Sequence, residues 1–213
     1  MLGRSPGESR LDLTESQRLS AHQAAKPHQR CSSLAVEMVA ALKPLMYHRF
    51  SQIQQRVEKM KIAIASDHAG FEEKERLKPL LDELGIQYED LGTVSTAPVD
   101  YPDYARKVAE EVALGHVEQG LLVCGSGTGM AIAANKVPGV RAAVAWNEEI
   151  ARLAREHNDA NVLALGARVT PAEDFPGIVR VWFATEFDHG RHDRRVQKIH
   201  DIEQDELAHR AAG

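Results

Sequence analysis

Cysteine is scarce in this chain: its 213 residues include two, Cys31 and Cys124, far apart and in unlike surroundings. That count excludes a disulfide framework and a structural zinc site built from thiolates, and makes a reducing cytoplasm the expected setting. Long apolar runs are missing as well. No segment approaches the roughly 20 residues needed to cross a bilayer, and the best candidate, Leu34 to Met46, is interrupted by Glu37, Lys43 and Pro44. The first residues mix Arg4 and Arg10 with Glu8, Asp12 and Glu15 and lead into no apolar core, which argues against a secretory signal or transit peptide. Charge of one sign is nowhere concentrated. A formal net charge of -5 offers no basic field and no charged tail, so neither nucleic acid nor a membrane is an expected partner. No spacing of His and acidic residues matches a metal motif such as H-E-x-x-H, and no metal site is expected.

What is present is a soluble globular composition, 43% hydrophobic and 27% charged, long enough for one well-buried domain with an appendage. The composition shifts near Met60. Residues 1–59 are rich in Ser, Gln, Arg and His without a sustained period, and read as an N-terminal extension. Residues 1–30 are expected to be disordered, and Leu34 to Val57 to form a helix or two broken at Pro44. From residue 60 to 213 the pattern is a repeated strand and helix. Strands are predicted at 62–66, 87–91, 120–123, 140–145 and 162–165, and helices at 71–84, 103–114, 148–156, 172–185 and 194–208. Gly85 and Gly115 stop the first two helices, and Pro79 is a blemish inside the first. The last helix is too polar for a core and reads as an arm on a neighbour or on the surface. The fold class is therefore α/β: a three-layer α/β/α, Rossmann-like fold with a five-stranded parallel sheet and a C-terminal helical arm. Ligands of such sheets bind at the carboxyl ends of strands. That points to Asp67-His68-Ala69-Gly70, to the loop after Cys124, and to the segments near His157 and Arg168.

The strongest chemical signal is Cys124-Gly125-Ser126-Gly127-Thr128-Gly129, between the apolar run Gly120 to Val123 and a helical pattern beginning at Met130. Three alternate glycines let backbone N–H groups approach an anion closely, and a following helix adds its N-terminal end. It is no nucleoside-triphosphate loop, since Gly-Lys-Ser/Thr is missing, and it lacks the third glycine of a dinucleotide fingerprint. A small anion fits better; the competing reading is a loop that is glycine-rich for tight packing. Cys124 is either a buried small side chain or a stabilised thiolate acting as base or nucleophile. His157, in His157-Asn158-Asp159, is either an acid or base near neutral pH or a helix C-cap. Asp67 and His68 either face a ligand or cap the next helix. Arg191, Arg194 and Arg195, with His189 and His192, form either a phosphate-binding fork or a solvated helix start.

Taken in order, Ser66-Asp67-His68-Ala69-Gly70-Phe71, Asp100-Tyr101-Pro102, Cys124 to Gly129, Ala133-Ala134-Asn135-Lys136, His157 to Ala164, Gly166-Ala167-Arg168 and Gly190-Arg191-His192 resemble the type B ribose-5-phosphate isomerases. The resemblance spans about residues 60–204, and the galactose-6-phosphate isomerase subunits share part of it. It implies a metal-free, cofactor-free interconversion of ribose 5-phosphate and ribulose 5-phosphate through an enediolate, a step of the pentose phosphate pathway. On that resemblance His157 opens the furanose ring and Cys124, as thiolate, moves the proton between C2 and C1. The amides of Gly125, Ser126, Gly127, Thr128 and Gly129, with the Ser126 hydroxyl, hold the enediolate oxygens. Asp67 and Asn158 bind sugar hydroxyls, and His68, Arg168, Arg191 and Arg195 are the phosphate candidates. The resemblance also implies a homodimer or tetramer with active sites shared between subunits. Some relatives use a glutamate where this chain has Met130, so the chain resembles the cysteine type. The alternatives are an isomerase of a hexose 6-phosphate such as allose or galactose 6-phosphate, or a non-catalytic phosphosugar-binding module.

Overall fold

The computed structural model describes residues 51–53, 55–57 and 60–212, all within one unit, Phe50–Gly213. The expected disorder of residues 1–30 and most of the expected helical stretch from Leu34 lie outside the described residues. Residues 51–53 and 55–57, at the end of that stretch, are helical. Val57 is buried there against the apolar core, and Arg56 donates to the Phe183 carbonyl at 3.0 Å.

Five strands follow: β1 (Lys61–Ser66), β2 (Gln87–Asp90), β3 (Gln119–Cys124), β4 (Ala142–Val144) and β5 (Val162–Gly166). All neighbours pair in parallel, in the order β2-β1-β3-β5-β4. Alternation along the strands sends side chains to two separate cores. Ile62, Ile64, Leu121, Val123, Leu163 and Leu165 pack with α1 (Phe71–Glu83), α4 (Glu148–Asn158) and α5 (Phe175–Ala184). Ala63, Ala65, Leu122, Val162 and Ala164 pack with α2 (Tyr101–Ala113) and α3 (Thr128–Ala134) on the other face. The sheet is thus covered on both sides, as the runs of apolar residues require. α6 (Asp193–Ala212) buries no residue and leaves Ile199, Ile202 and Leu207 exposed.

Glycine ends the first two helices as expected. Gly85 and Gly115, at φ +72° and +71°, let the chain fold back so that Ile86 N–H reaches the Leu81 carbonyl and His116 N–H that of Glu111, both at 3.0 Å. Pro79 does not break α1, which runs through it. α2 starts two residues before the expected Asp103, because Pro102 is tolerated in a first turn where no N–H partner is needed. The expected helix over 172–185 divides into a short 3-10 turn, Ala172–Asp174, and α5, with Pro176 at its start.

A buried cation ties α1 to β2. Lys74, 1% exposed, pairs with Asp90 and with Glu75 at 3.0 Å, and Lys78 reaches the same two carboxylates at 2.7 and 2.6 Å. Burial would raise the Asp90 carboxyl, but donation from Lys74, Lys78 and the Gly92 amide holds it below its ordinary range. A carboxylate held low in the folded state contributes stability above its unfolded value, and that contribution fades as the pH falls through the folded one. Asp90→Asn is therefore expected to cost about 3 kcal/mol at neutral pH, since it leaves Lys74 charged, buried and short of a counter-ion. The same change should flatten the loss of stability in acid. Urea unfolding of parent and variant across acid and neutral pH measures both.

Candidate active site

Three central strands end side by side. Ser66 of β1 pairs with Val123 of β3, and Cys124 pairs with Gly166 of β5. The chain order reverses between β1 and β3, so this edge is also a topological switch point. Each strand delivers candidate residues to it.

After β1 the chain turns at Asp67. Its Oδ1 accepts the Ala69 and Gly70 amides, both at 2.9 Å, while the Asp67 N–H donates to the Val123 carbonyl. That oxygen closes the turn leading into α1 and does not cap the helix, which begins at Phe71 without a side-chain cap; Oδ2 has no hydrogen bond among the described residues. Gly70 passes flush against β3: a Cβ there would stand 2.2 Å from the Val123 oxygen. His68 accepts the Val99 amide at Nδ1, 3.3 Å away, so its neutral tautomer carries the proton at Nε2.

After β3 the glycine segment is shorter than the sequence reading made it. Thr128 and Gly129 already form the first turn of α3, and the loop proper is Gly125 to Gly127. Gly127, at φ +77°, takes a conformation that side chains resist. It aims its N–H at the Cys124 sulfur, 3.2 Å away. Cys124 is 3% exposed. The amides of Thr128, Gly129 and Met130 open α3 and have no acceptor within the helix.

After β5 the chain is laced to this loop. Ala167 N–H donates to the Cys124 carbonyl at 2.8 Å and Arg168 N–H to that of Gly125 at 2.9 Å. The Arg168 side chain lies over Gly125, where a Cβ would meet its Cδ at 3.5 Å and Ala69 at 3.8 Å. The guanidinium has no ion pair among the described residues. Tyr101 is a residue that sequence reasoning did not assign. Its ring covers Gly129, leaving only 2.9 Å to a Cβ there, and remains 41% exposed. The motif Asp100-Tyr101-Pro102 was a signal for it, but nothing local says where the ring goes.

His157 does not join this edge, which corrects the expectation that its segment lies among the carboxyl-end loops. α4 leaves the carboxyl end of β4 and runs back, so His157 and Asn158 stand just before the amino end of β5. At about 3.3 Å per residue, the four steps from Gly120 to Cys124 alone separate the two edges by roughly 13 Å. A second cluster gathers here. Asp188 N–H donates to the Glu156 carbonyl at 3.0 Å, bringing the Gly190–His192 turn beside α4. His157 and His192 stack face to face, with ring centroids 4.2 Å apart and planes 6° from parallel. Arg191 Nε donates to His192 Nε2 at 3.0 Å. Arg195, in the first turn of α6, is exposed and has no ion pair among the described residues. Asn158 exposes its side chain and lines a groove of about 620 Å³ with Lys136, Arg141, Ile199, Leu207 and Arg210.

The structure thus gathers the candidate residues into two groups. Asp67, His68, Cys124 to Gly129 and Arg168 share one edge; His157, Asn158, Arg191 and Arg195 share the other. Among the described residues no three His, Cys, Asp or Glu side chains converge as metal ligands, and no helix is long and apolar enough to cross a membrane.

Known proteins resemble this chain along the same span. The family described as Ribose/Galactose Isomerase matches residues 62–199. Ribose-5-phosphate isomerase B of Escherichia coli is 46% identical over 144 residues, 68% of this chain and 97% of that protein. A putative sugar phosphate isomerase of Bacillus subtilis is 49% identical over 149 residues, 70% of this chain and 100% of that protein. Among solved structures, ribose-5-phosphate isomerase B of Clostridium thermocellum superposes with a TM-score of 0.67 at 49% identity, covering 68% of this chain and 99% of that one. That of Mycoplasma genitalium, solved with bound ribulose-5-phosphate, gives 0.66 at 40% identity over 68% of this chain and 97% of that one.

Proposed function

This chain belongs to the ribose/galactose isomerase family, and we propose that it interconverts ribose 5-phosphate and ribulose 5-phosphate at a site assembled from two copies of the chain. The observation that carries the reading is the sulfur of Cys124, buried at the end of β3 with the Gly127 amide as its donor. One copy supplies that edge, and a second supplies His157 and the arginines, because a single chain holds these groups on opposite edges of its sheet. Exposed apolar side chains at both places, Trp146 and Val169 at one and Ile199 and Ile202 at the other, support burial between copies.

In this mechanism His157 removes the anomeric hydroxyl proton and returns a proton to the ring oxygen, opening the furanose. The Cys124 thiolate then takes the C2 hydrogen as a proton and delivers it to C1, while a hydroxyl proton passes from O2 to O1, so aldose and ketose balance atom for atom. The negative enediolate lies against the loop amides and the Ser126 hydroxyl, where fixed donors contribute most. Asp67 and Asn158 hold sugar hydroxyls. His68, Arg168, Arg191 and Arg195 take the phosphate, for which a planar donor fork is suited. A cytoplasmic setting goes with this reading.

The test is turnover. The purified full chain is expected to form ribulose 5-phosphate from ribose 5-phosphate, to do so equally well with a chelator present, and to be slower on allose 6-phosphate. Binding without turnover would replace the enzyme by a phosphosugar-binding module, and a preference for the hexose would move the substrate.

A further inference from the structure

His192 has no role in the mechanism above, yet it is the one buried side chain in the span from Gly190 to Ala212. It touches two residues that do have one. Its ring lies flat on His157, and its Nε2 accepts from Arg191.

We propose that His192 is a positioning residue that holds the ring-opening imidazole with its face and the phosphate-binding guanidinium with its nitrogen, so that the two move as one unit. The inference rests on the roles given to His157 and Arg191 above. An arginine Nε can only donate, so the Nε2 of His192 must be unprotonated, and its proton sits on Nδ1. The ring in the stack is therefore neutral. Burial lowers the basicity of His192, and the neighbouring His157, Arg191 and Arg195 lower it further against a weak opposing pull from Asp188. His157 is the member of the pair to which the mechanism above gives the proton transfer. A neutral partner of fixed plane restrains that imidazole without competing for its proton, and the same partner stops the exposed Arg191 side chain from swinging free.

Two substitutions separate the two contacts. His192→Phe keeps a flat ring on His157 and removes the acceptor for Arg191. His192→Gln keeps an acceptor near the place of Nε2 and removes the ring. The Phe variant is expected to raise KM for ribose 5-phosphate on the order of tenfold with kcat little changed, and the Gln variant to lower kcat by a similar factor with KM little changed. Inorganic phosphate binding, read by calorimetry, should weaken in the Phe variant alone, and the His157 titration, read by NMR, should shift in the Gln variant alone. Parent-like constants in both variants, or losses of kcat and KM together in step with a fall in melting temperature, would overturn the proposal. A parent chain without isomerase activity would sink the isomerase reading itself; the phosphate and NMR measurements would still decide whether His192 holds its two neighbours.

Discussion

Cys124→Ser is expected to leave a folded protein that isomerises ribose 5-phosphate roughly 10² to 10⁴ times more slowly than its parent, the range that a positioned acid or base contributes. Serine matches cysteine closely in shape, and its hydroxyl can accept the Gly127 amide now bonded to sulfur. The packing around Ala63, Ala65 and Met130 then has little reason to change, and melting temperature should stay near the parent value. What changes is proton affinity: an alcohol at neutral pH holds its proton too firmly to abstract another from carbon. Met130 cannot substitute. It occupies the position where some relatives carry a glutamate, and it is a fully buried thioether without a titratable proton. The measurement is kcat for ribulose formation, with melting as the control. A variant within tenfold of parent activity would move the base to another residue and end the proposed role of Cys124.

Mixing two dead proteins should restore activity. Cys124→Ala and His157→Ala chains are each expected to be nearly inactive, since every site in either homodimer lacks one of the two groups. Unfolded together and refolded in equal amounts, they pair at random. Half of the dimers are then mixed, and each of these contains one site with both groups and one with neither. The mixture should recover about a quarter of parent activity, as follows from a two-fold symmetric pair that builds two equivalent sites. If Cys124 and His157 worked within one chain, no pairing could restore either, and the mixture would stay as inactive as its components. The prediction follows from topology: α4 carries His157 back to the amino edge, while β3 delivers Cys124 to the carboxyl edge.

Much of the layout could be read from residue patterns because its determinants are local. Apolar runs of strand length, helical spacing and glycines at φ-positive stops place the five strands and most of the helices to within a few residues. The strand order β2-β1-β3-β5-β4 could not be read that way, since any of these apolar runs can pair with any other and the choice is made by packing across the sheet. The same division holds at the site. Asp67, Cys124 and Arg168 were legible as strand ends, and strand ends are where parallel sheets bind ligands. His157 is legible as a candidate acid or base, while its segment reads as belonging to the carboxyl edge and stands at the amino edge. A helix that ends just before a strand must deliver its last residues to that strand's amino end, so the pattern held the signal. Tyr101 over Gly129 and His192 on His157 are contacts between distant segments, and no periodicity encodes them.

The turn after β1 has a thermodynamic consequence. Two backbone amides already grip one oxygen of Asp67, which leaves the other oxygen aimed in a single direction before any sugar arrives. A side chain that must be immobilised on binding costs roughly 0.5 to 1.5 kcal/mol of conformational entropy. Here folding has frozen that rotamer in advance, with Gly70 seated against the Val123 carbonyl to keep the turn closed. On the role proposed for it, Asp67 meets the substrate's hydroxyl as a rigid acceptor, and the ordering cost falls on the stability of the apoprotein instead of on affinity.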